Sequence, residues 1–305
     1  MNTFKVSPHL TYKIWGGEKL LALKAPSLLG KSDVPLGETW EVSIHPDGKS
    51  KVEDGEFLDE KLDSSKLTYL IKFIDTSQNL SIQVHPGQEY AQKFESDNGK
   101  NECWIILDAN PGSGIYLGFK DGVTSKSFQR SLEKGEAINE LLRFYPVKRG
   151  DFFFVPAGAV HAIGDGITLC EVQRSSGVTY RVWDWNRLEN GKPRELHISK
   201  AMDVLNFDPK SNSKEYFQYQ TEIFKKKNLQ LATDDLFKVR SVNMKSGENL
   251  ELLSEQRVTS VVVISGKIEI ENKEFSAYEC GVVEIFENEL TELKAKEDSE
   301  IIIVS

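Results

Sequence analysis

The feature that most constrains this chain is a series of short apolar segments, rich in β-branched residues and bounded by Gly, Pro, Asn or Asp. Such segments are typical of β-strands, because branched side chains fit a pleated surface and turn residues end it. The clearest of them cover 67–76, 79–86, 102–109, 150–158, 167–173, 257–275 and 299–305. They predict a mainly β protein, built as a sandwich or barrel rather than as a doubly wound sheet.

Three segments interrupt this pattern with helical signals. They are the residues that follow Pro86, the segment 125–144 with a break at Gly135, and the segment 196–207. Pro is favoured in the first turn of a helix, and apolar residues three or four apart form one face of a helix. We therefore expect a few short helices among the strands.

One polar segment, 208–216, contains Pro and Ser and is typical of a linker. All five histidines precede it, and no histidine follows it. We expect a metal-binding catalytic domain over 1–207 and a β domain without metal over 216–305. The length of 305 residues fits two domains, since about 100–200 residues per domain is usual.

The charge and cysteine content limit the partners and the compartment. A net charge of −9 argues against nucleic acid or an anionic membrane, because both bind a basic surface, but a local Arg/Lys cluster can still bind one phosphate. No apolar run approaches the roughly 20 residues of a membrane span, and the first residues do not resemble a signal peptide. Three dispersed cysteines predict no disulfide framework. We expect a cytoplasmic protein.

The sharpest local motif is the segment 150–161, in which Gly150, Pro156, Gly158 and His161 stand at fixed spacing. It predicts a strand, a tight turn and the start of a second strand. The turn fixes the direction of the His161 side chain, as a metal ligand requires. The spacing resembles the second motif of the cupin superfamily, G-x5-P-x-G-x2-H-x3-N, with Asp165 in place of the final Asn.

A second group of candidate ligands lies upstream. Gln83 and His85 are two residues apart on a predicted strand, so their side chains face the same side. Glu102 begins the next long strand. Together with His161 they supply two nitrogen and two oxygen ligands, a set that suits zinc, although iron, manganese and cobalt remain open. We expect one divalent ion per chain.

The chain also resembles the type I mannose-6-phosphate isomerases, in particular the short bacterial form. The similar stretches are TYKIWGG (11–17), GETWEVSIHPDG (37–48), LSIQVHPGQEYA (80–91), GKNECWIIL (99–107), GDFFFVPAGAVHAIG (150–164) and TYRVWDWNR (179–187). The resemblance covers most of 1–207 and is weaker over 216–305. It implies two cupin-type jelly-roll β-barrels, the second without metal, and a reaction that interconverts mannose 6-phosphate and fructose 6-phosphate.

The resemblance also implies roles for single residues. The zinc ligands of the family fall on Gln83, His85, Glu102 and His161. Its essential arginine falls on Arg181, Lys100 and Glu171 match functional positions near the metal, and Ser81 and Arg187 match positions associated with the sugar phosphate. Trp15, in the segment IWGG, is a candidate for a contact with the sugar, with core packing as the alternative.

Aldose–ketose isomerisation moves a proton between C1 and C2 through a cis-enediol, whose negative charge a divalent ion can stabilise. A positioned base must take the proton from C2 and return it at C1. Glu171 is the candidate, with Lys100 or a water on the metal ion as rivals. Arg181 stays protonated, so it can supply positive charge but cannot act as the base.

Two other functions remain open at this stage. One is a different cupin enzyme, such as a metal-dependent dioxygenase or another sugar isomerase. The other is a sugar-binding or regulatory cupin without activity. The oligomeric state is also open between monomer and homodimer. His9, His45 and His197 lie outside any motif, and we interpret them as structural or exposed residues.

Overall fold

The computed structural model describes residues 2–29, 34–189, 191–252, 258–286 and 291–305. The chain is 44% strand and 17% helix, which confirms the mainly β prediction. The strands, in chain order, are β1 (Asn2–Ser7), β2 (His9–Gly17), β3 (Leu36–Val42), β4 (Lys51–Val52), β5 (Tyr69–Asp75), β6 (Ile82–Val84), β7 (Glu102–Ala109), β8 (Gly114–Phe119), β9 (Leu142–Pro146), β10 (Phe152–Val155), β11 (His161–Ile163), β12 (Ile167–Arg174), β13 (Tyr180–Trp183), β14 (Leu188–Glu189), β15 (Lys192–Pro193), β16 (Asn228–Thr233), β17 (Lys238–Met244), β18 (Asn249–Leu252), β19 (Val258–Ser265), β20 (Lys267–Ile270), β21 (Lys273–Ser276), β22 (Cys280–Glu284), β23 (Thr291–Ala295) and β24 (Ser299–Val304).

The helices are short. The α-helices are α1 (Lys19–Lys24), α2 (Gln88–Phe94), α3 (Ser125–Glu133) and α4 (Ile198–Val204). Single 3₁₀ turns cover Pro26–Leu28, Leu58–Glu60, Ser64–Lys66, Ile138–Leu141, Pro209–Asn212 and Ile223–Lys225.

The helices predicted after Pro86 and within 196–207 are confirmed as α2 and α4, and the first half of the segment 125–144 is confirmed as α3. The second half of that segment is not an α-helix, because it forms the 3₁₀ turn Ile138–Leu141 and then enters β9. Thr124 caps α3, because its side chain accepts a hydrogen bond from the backbone N–H of Ser127 and Ser127 reciprocates. Phe128 lies on the apolar face of this helix and is buried. The helix ends just before Gly135, whose φ of +66° lies in the left-handed region that stops a helix.

The chain divides into two compact units that differ from the predicted linear division. The first unit contains Met1–Thr11, Thr39–Phe73 and Thr221–Ser305, and the second contains Tyr12–Glu38 and Ile74–Gln220. The sequence predicted 1–207 and 216–305 instead. The reason for the difference is long-range pairing, since β1 pairs antiparallel with β22 and thereby joins the first residues of the chain to its last quarter.

The first unit contains a seven-stranded sheet of order β16-β17-β24-β19-β22-β1-β4 and a four-stranded sheet of order β18-β23-β20-β21. Residues from both sheets share one apolar core, which includes Val261, Phe275, Leu293 and Ile301. Metal-ligating side-chain clusters are absent from the described residues of this unit.

The second unit contains a five-stranded sheet of order β13-β6-β11-β8-β9 and the neighbouring strands β10-β7-β12 of a six-stranded sheet. A core that includes Trp104, Ile106, Leu117 and Phe153 joins the two. The other face of the five-stranded sheet is covered by α3 and α4. Two jelly-roll barrels were predicted, but no closed barrel is found among the described residues, whose strands form open sheets.

The predicted linker, 208–216, is packed rather than open. Asn212 is buried, accepts a hydrogen bond from the backbone N–H of Phe119, and donates to the carbonyl oxygens of Asn206 and Asp208. The polar side chains of this segment therefore form the hydrogen bonds that backbone groups would form with one another in a regular strand or helix. Among the described residues, no helix is long and apolar enough to cross a membrane.

Candidate active site and metal centre

A row of three side chains crosses the five-stranded sheet of the second unit. Gln83 on β6 lies directly opposite His161 on β11 and opposite Arg181 on β13. Residues directly opposite in antiparallel strands point to the same face. The flanking Ile82 and Val84 point to the other face and pack in the core beneath the helices. Because successive side chains of β6 point to opposite faces of the sheet, Gln83 points to the face away from the helices.

The facing strands carry a second set of polar side chains. On β7, Glu102 and Trp104 are two residues apart, and their partners on β12 are Gln173 and Glu171. All four therefore point to one face of this sheet. Glu102 and Glu171 are 1% and 4% exposed, so both carboxyl groups lie inside the unit.

These two sets meet at a compact cluster of His85, Glu102 and His161, whose ligand atoms lie within 4.8 Å of one another. His85 Nε2 is 3.3 Å from Glu102 Oε2, and His161 Nε2 is 3.5 Å from Glu102 Oε1. Gln83 Nε2 is 3.2 Å from His161 Nε2, and its amide oxygen accepts a hydrogen bond from Ser81 Oγ at 3.3 Å. Gln83 thus lies at the edge of a three-residue centre.

The hydrogen bonds of the two imidazole rings show that this centre fits a cation. His85 Nδ1 is 2.9 Å from the Val178 carbonyl oxygen, and His161 Nδ1 is 2.9 Å from that of Ala159. A carbonyl only accepts, so each Nδ1 carries the proton and each Nε2 presents a lone pair. Burial lowers the pKa of both rings, that of His85 to about 3, which keeps them neutral.

Both lone pairs face the Glu102 carboxylate, which is itself an acceptor. Glu102 Oε2 is paired with the Lys100 ammonium 2.7 Å away, but within the described part of the chain Glu102 Oε1 has no hydrogen-bond partner. Converging acceptors repel one another unless positive charge lies among them, and a bound cation would supply that charge at Oε1 and at the His161 lone pair. Two neutral imidazoles and one carboxylate are the ligands that catalytic zinc and related divalent ions use, so the residues fit such an ion.

Lys100 provides the positive charge beside this centre. Its Nζ lies 2.7 Å from Glu102 Oε2 and 3.1 Å from His85 Nε2, and the side chain is buried. Burial opposes the ammonium form, but the charges of Glu102 and Glu171 outweigh burial and raise the pKa of Lys100. Burial likewise opposes the Glu102 carboxylate, yet the charge of Lys100 holds the pKa of Glu102 well below its usual range. The two groups are therefore charged as a pair.

Glu171 lies close to this pair and is held by Trp104, whose Nε1 donates a hydrogen bond to Glu171 Oε2 at 3.0 Å. A further carboxylate, that of Glu38 on β3, also acts electrostatically on Lys100, and no motif in the sequence marks it. Glu38 lies in the segment GETWEVSIHPDG, so the family resemblance marked the segment but not the residue.

The predicted Arg181 extends the row beyond Gln83. Its Nη1 donates a hydrogen bond to the Glu195 carbonyl oxygen at 2.7 Å, and its backbone N–H donates to His197 Nδ1 at 3.1 Å. His197 therefore helps to hold the backbone of the Arg181 strand. Burial, followed by the charge of Arg194, lowers the pKa of Arg181, although an arginine remains charged at neutral pH.

The two predicted phosphate residues lie on adjoining segments. Trp185 Nε1 donates to the Leu80 carbonyl oxygen at 2.6 Å, and Arg187 Nη1 lies 3.5 Å from Gln78 Oε1, so the turn that carries Arg187 packs beside the segment that carries Ser81. Trp15, in contrast, is 4% exposed within the core that contains Leu80 and Trp104. Its predicted contact with the sugar stays a prediction.

Gly150 and Gly158 have φ values of +85° and +84°, a conformation that glycine adopts without strain. The backbone N–H of Gly158 donates to the His85 carbonyl oxygen at 2.9 Å. A Cβ atom at Gly158 would lie 3.0 Å from the Val204 carbonyl oxygen. The motif thus ties the turn before His161 to the strand end that carries His85.

The fold and the site together define a mainly β protein with a buried cluster of side chains that could hold a metal ion. The sequence profile for phosphomannose isomerase type I, catalytic domain, matches residues 3–110. The chain is 38% identical over 216 residues to the mannose-6-phosphate isomerase of Streptococcus mutans, which covers 66% of this chain and 67% of that protein. It is also 38% identical over 216 residues to mannose-6-phosphate isomerase ManA of Bacillus subtilis, with 65% and 66% covered.

The structure of this chain is similar to the crystal structure of the mannose 6-phosphate isomerase from Bacillus subtilis, with a TM-score of 0.83 and 27% sequence identity. The match covers 100% of this chain and 100% of the Bacillus subtilis chain. The chain therefore belongs to the type I phosphomannose isomerase family. Membership makes it an aldose–ketose isomerase of a metal-dependent family.

Proposed function

We propose that this chain is a zinc-dependent isomerase that interconverts mannose 6-phosphate and fructose 6-phosphate through a cis-enediolate. The observation that carries the proposal is the convergence of His85, Glu102 and His161 around one point, with both Nε2 lone pairs directed at a carboxylate. The family shown above supports the substrate, and the mixed nitrogen and oxygen ligands support zinc.

In this proposal His85, Glu102 and His161 hold the ion, with Gln83 beside them. A bound divalent ion supplies Lewis-acid stabilisation of the negative charge that develops on a sugar oxygen. Val178 and Ala159 keep the imidazoles in the ligating tautomer through their carbonyl oxygens. The G-x5-P-x-G-x2-H spacing supports a cupin-type jelly roll for the second unit.

The proton transfer falls to the buried carboxylates beside Lys100. In the direction from aldose to ketose, a base takes the proton from C2, the C2–H electron pair forms the C1–C2 double bond, and the carbonyl pair of C1 moves to O1 to give the enediolate. The hydroxyl proton of O2 then passes to O1 as the C2 carbonyl forms, and the electron pair of the double bond takes the proton back from the base at C1. Glu171 is our candidate for this base. The raised pKa of Lys100 keeps it protonated at neutral pH, so Lys100 acts as a positive charge or proton donor rather than as the base.

The arginines on and after β13 would bind the negatively charged groups of the substrate. We assign Arg181 to stabilisation of negative charge on the reacting sugar, since it lies next to Gln83 across the strand pair. We assign Ser81 and Arg187 to the phosphate, which lies at the far end of the sugar from C1 and C2. Guanidinium groups bind phosphate through paired N–H donors, which suits this role.

A coupled assay with mannose 6-phosphate tests the proposal, run on the purified protein before chelation, after chelation and after zinc, manganese, cobalt or ferrous iron is restored. We expect chelation to abolish turnover and zinc to restore it. His161→Ala should lose both bound metal and turnover. His9→Ala is the matched control, because His9 is exposed and lies outside the metal-site cluster, and it should keep both.

Two results would contradict the proposal separately. A protein with stoichiometric metal that does not convert mannose 6-phosphate would exclude the substrate but leave the metal site intact. Full turnover by a protein stripped of metal, or by His161→Ala, would exclude the metal-centred mechanism.

A further inference from the structure

Arg187 and Arg194 bind one buried carboxylate, that of Asp184, and Arg181 lies near them. Arg194 binds Asp184 through two hydrogen bonds, from Nε to Oδ2 at 2.7 Å and from Nη2 to Oδ1 at 2.6 Å. Arg187 Nη2 donates to the same Oδ1 at 2.5 Å. Arg181 is close enough for Arg194, Asp184 and Arg187 to affect its pKa. We call these four residues the arginine cluster.

The ion pairs of Asp184 with Arg187 and Arg194 are largely shielded from solvent. Asp184 is 6% exposed, and the side chains of Arg187 and Arg194 are 15% and 13% exposed. Burial opposes the charge of Asp184, but its hydrogen bonds from Arg194 and Arg187 hold the pKa of this carboxyl below its usual range. Asp184 is therefore a carboxylate that fixes two guanidinium groups at once.

The turn that follows Asp184 is strained. Trp185 and Asn186 have φ values of +57° and +52°, and two consecutive non-glycine residues in the left-handed region are uncommon. Such strain persists only where surrounding contacts impose the conformation, and it is concentrated at functional sites. Here the contacts are the Arg187–Asp184 pair and the hydrogen bond from Trp185 Nε1 to the Leu80 carbonyl oxygen.

The cluster carries more positive than negative charge. Arg187 and Arg194 bind the Asp184 carboxylate, Arg181 adds a third positive charge near them, and Glu189 is a further acidic side chain that acts on Arg181. The Nε atoms of Arg181 and Arg187 are buried and have no hydrogen-bond partner among the described residues. A buried donor without a partner costs free energy, and an anion that accepts from it removes that cost.

We propose that Asp184 and Arg194 are positioning residues of the phosphate subsite: they hold Arg187 in place, so that a phosphate dianion meets a guanidinium group whose position is already fixed. The inference rests on the proposed function and adds to it two residues that no motif marks. Asp184 does not itself contact the phosphate. Its role is to lower the ordering cost that the flexible arginine side chains would otherwise contribute when the anion binds.

Asp184→Asn tests the proposal, since it keeps the size of the side chain and removes its charge. We expect the affinity for inorganic phosphate, measured by calorimetry, and the reciprocal of KM for mannose 6-phosphate each to fall roughly 10–100-fold, as for loss of charge-assisted hydrogen bonds. The kcat and the bound metal should stay near the wild-type values. Asp121→Asn is the matched control, because Asp121 pairs with Arg143 at 2.6 Å on the surface, and it should change none of these quantities.

Arg194→Lys provides a second variant should Asp184→Asn fail to fold. Lysine keeps the positive charge but cannot form the two-point contact with Asp184, so phosphate affinity should again fall. Unchanged phosphate affinity in a folded variant, or a loss of kcat without a change in KM, would overturn the proposal. Absence of phosphate binding by the wild-type protein would also overturn it. Because calorimetry needs no turnover, failure of the isomerase assay alone would contradict the proposed function and leave this subsite to be judged by phosphate binding.

Discussion

Replacement of Glu102 by Gln should separate the electrostatic role of this residue from its shape. The carboxylate balances the ammonium of Lys100 at 2.7 Å, with the two side chains 1% and 6% exposed. Glu102→Gln keeps the volume but removes from a buried ammonium its nearest counter-charge. Removing one partner of a buried ion pair costs about 3–5 kcal/mol, because the remaining charge is not compensated.

The chain contains a matched control for this substitution. Lys225 and Glu222 also pair at 2.7 Å, but their side chains are 74% and 47% exposed. An exposed pair contributes about 0–1 kcal/mol, so Glu222→Gln should hardly alter the free energy of unfolding. The separation is equal in the two pairs, so the difference between the two variants isolates the effect of burial.

The measurement is urea unfolding of the metal-free protein, combined with hydrogen exchange resolved by mass spectrometry. Peptides from β7 report on the second unit, and peptides from β19 report on the first, which avoids treating two units as one transition. We expect Glu102→Gln to lose protection in β7 and to bind zinc more weakly than wild type, by more than the roughly 10–100-fold that changes around a ligand cause. Equal unfolding free energies for the two variants, with zinc retained by both, would refute the reasoning.

Three further predictions concern neighbouring features. Gly17→Ala should destabilise the protein by about 1–3 kcal/mol in urea unfolding, because a Cβ atom at Gly17 would lie 2.3 Å from the Asp75 carboxylate that caps the start of α1; an unchanged midpoint would contradict this. Since burial holds the pKa of His85 at about 3, the unfolded chain binds a proton that the folded chain does not as the pH falls below 6.5. His85 alone should therefore cost the metal-free protein up to about 1.4 kcal/mol per pH unit as the pH falls from 6.5 towards 5, and His161, whose pKa burial also lowers, adds to this loss; a flat profile by urea unfolding would contradict the assigned neutral rings. Glu171→Gln should keep its metal but lose exchange of the C2 proton of mannose 6-phosphate with deuterated solvent, measured by NMR; Trp104→Phe, which removes one hydrogen bond to that carboxylate, should reduce exchange less, and full exchange by Glu171→Gln would assign the base elsewhere.

The sequence predicted those parts of the site that local spacing determines. Gln83 and His85 are two residues apart on one strand, and Gly150 to His161 is one turn with its flanking strands, so the direction of each side chain follows from a period or a turn. The same reasoning located α2, α3 and α4, whose apolar spacing and stop signals lie within the segments themselves.

Features that depend on pairing between distant strands could not be predicted from the sequence. Glu38 approaches Lys100 only because of how the strands are arranged, and no local pattern distinguishes it from a solvated strand residue. The grouping of Met1–Thr11 with Thr221–Ser305 depends on the pairing of Asn2 with Glu284, which no sequence period reveals. Asp184 and Arg194 lie in an irregular segment, where contacts are specific to side chains and not periodic.

The electrostatics of the second unit explain why one sheet can serve both ends of a sugar phosphate. At the metal end, Lys100 faces the buried carboxyl groups of Glu102 and Glu171 while the buried imidazoles are neutral, so negative charge is in excess there before a divalent ion binds. One strand further along the same row, Arg181 begins a cluster in which guanidinium groups outnumber carboxylates. In the proposed mode of binding, the divalent ion makes the metal end attractive to anions as well, so total charge alone does not orient the substrate. We infer that the orientation follows from geometry, because the guanidinium groups offer paired N–H donors that match a phosphate, while the metal end offers ligands for the sugar oxygens.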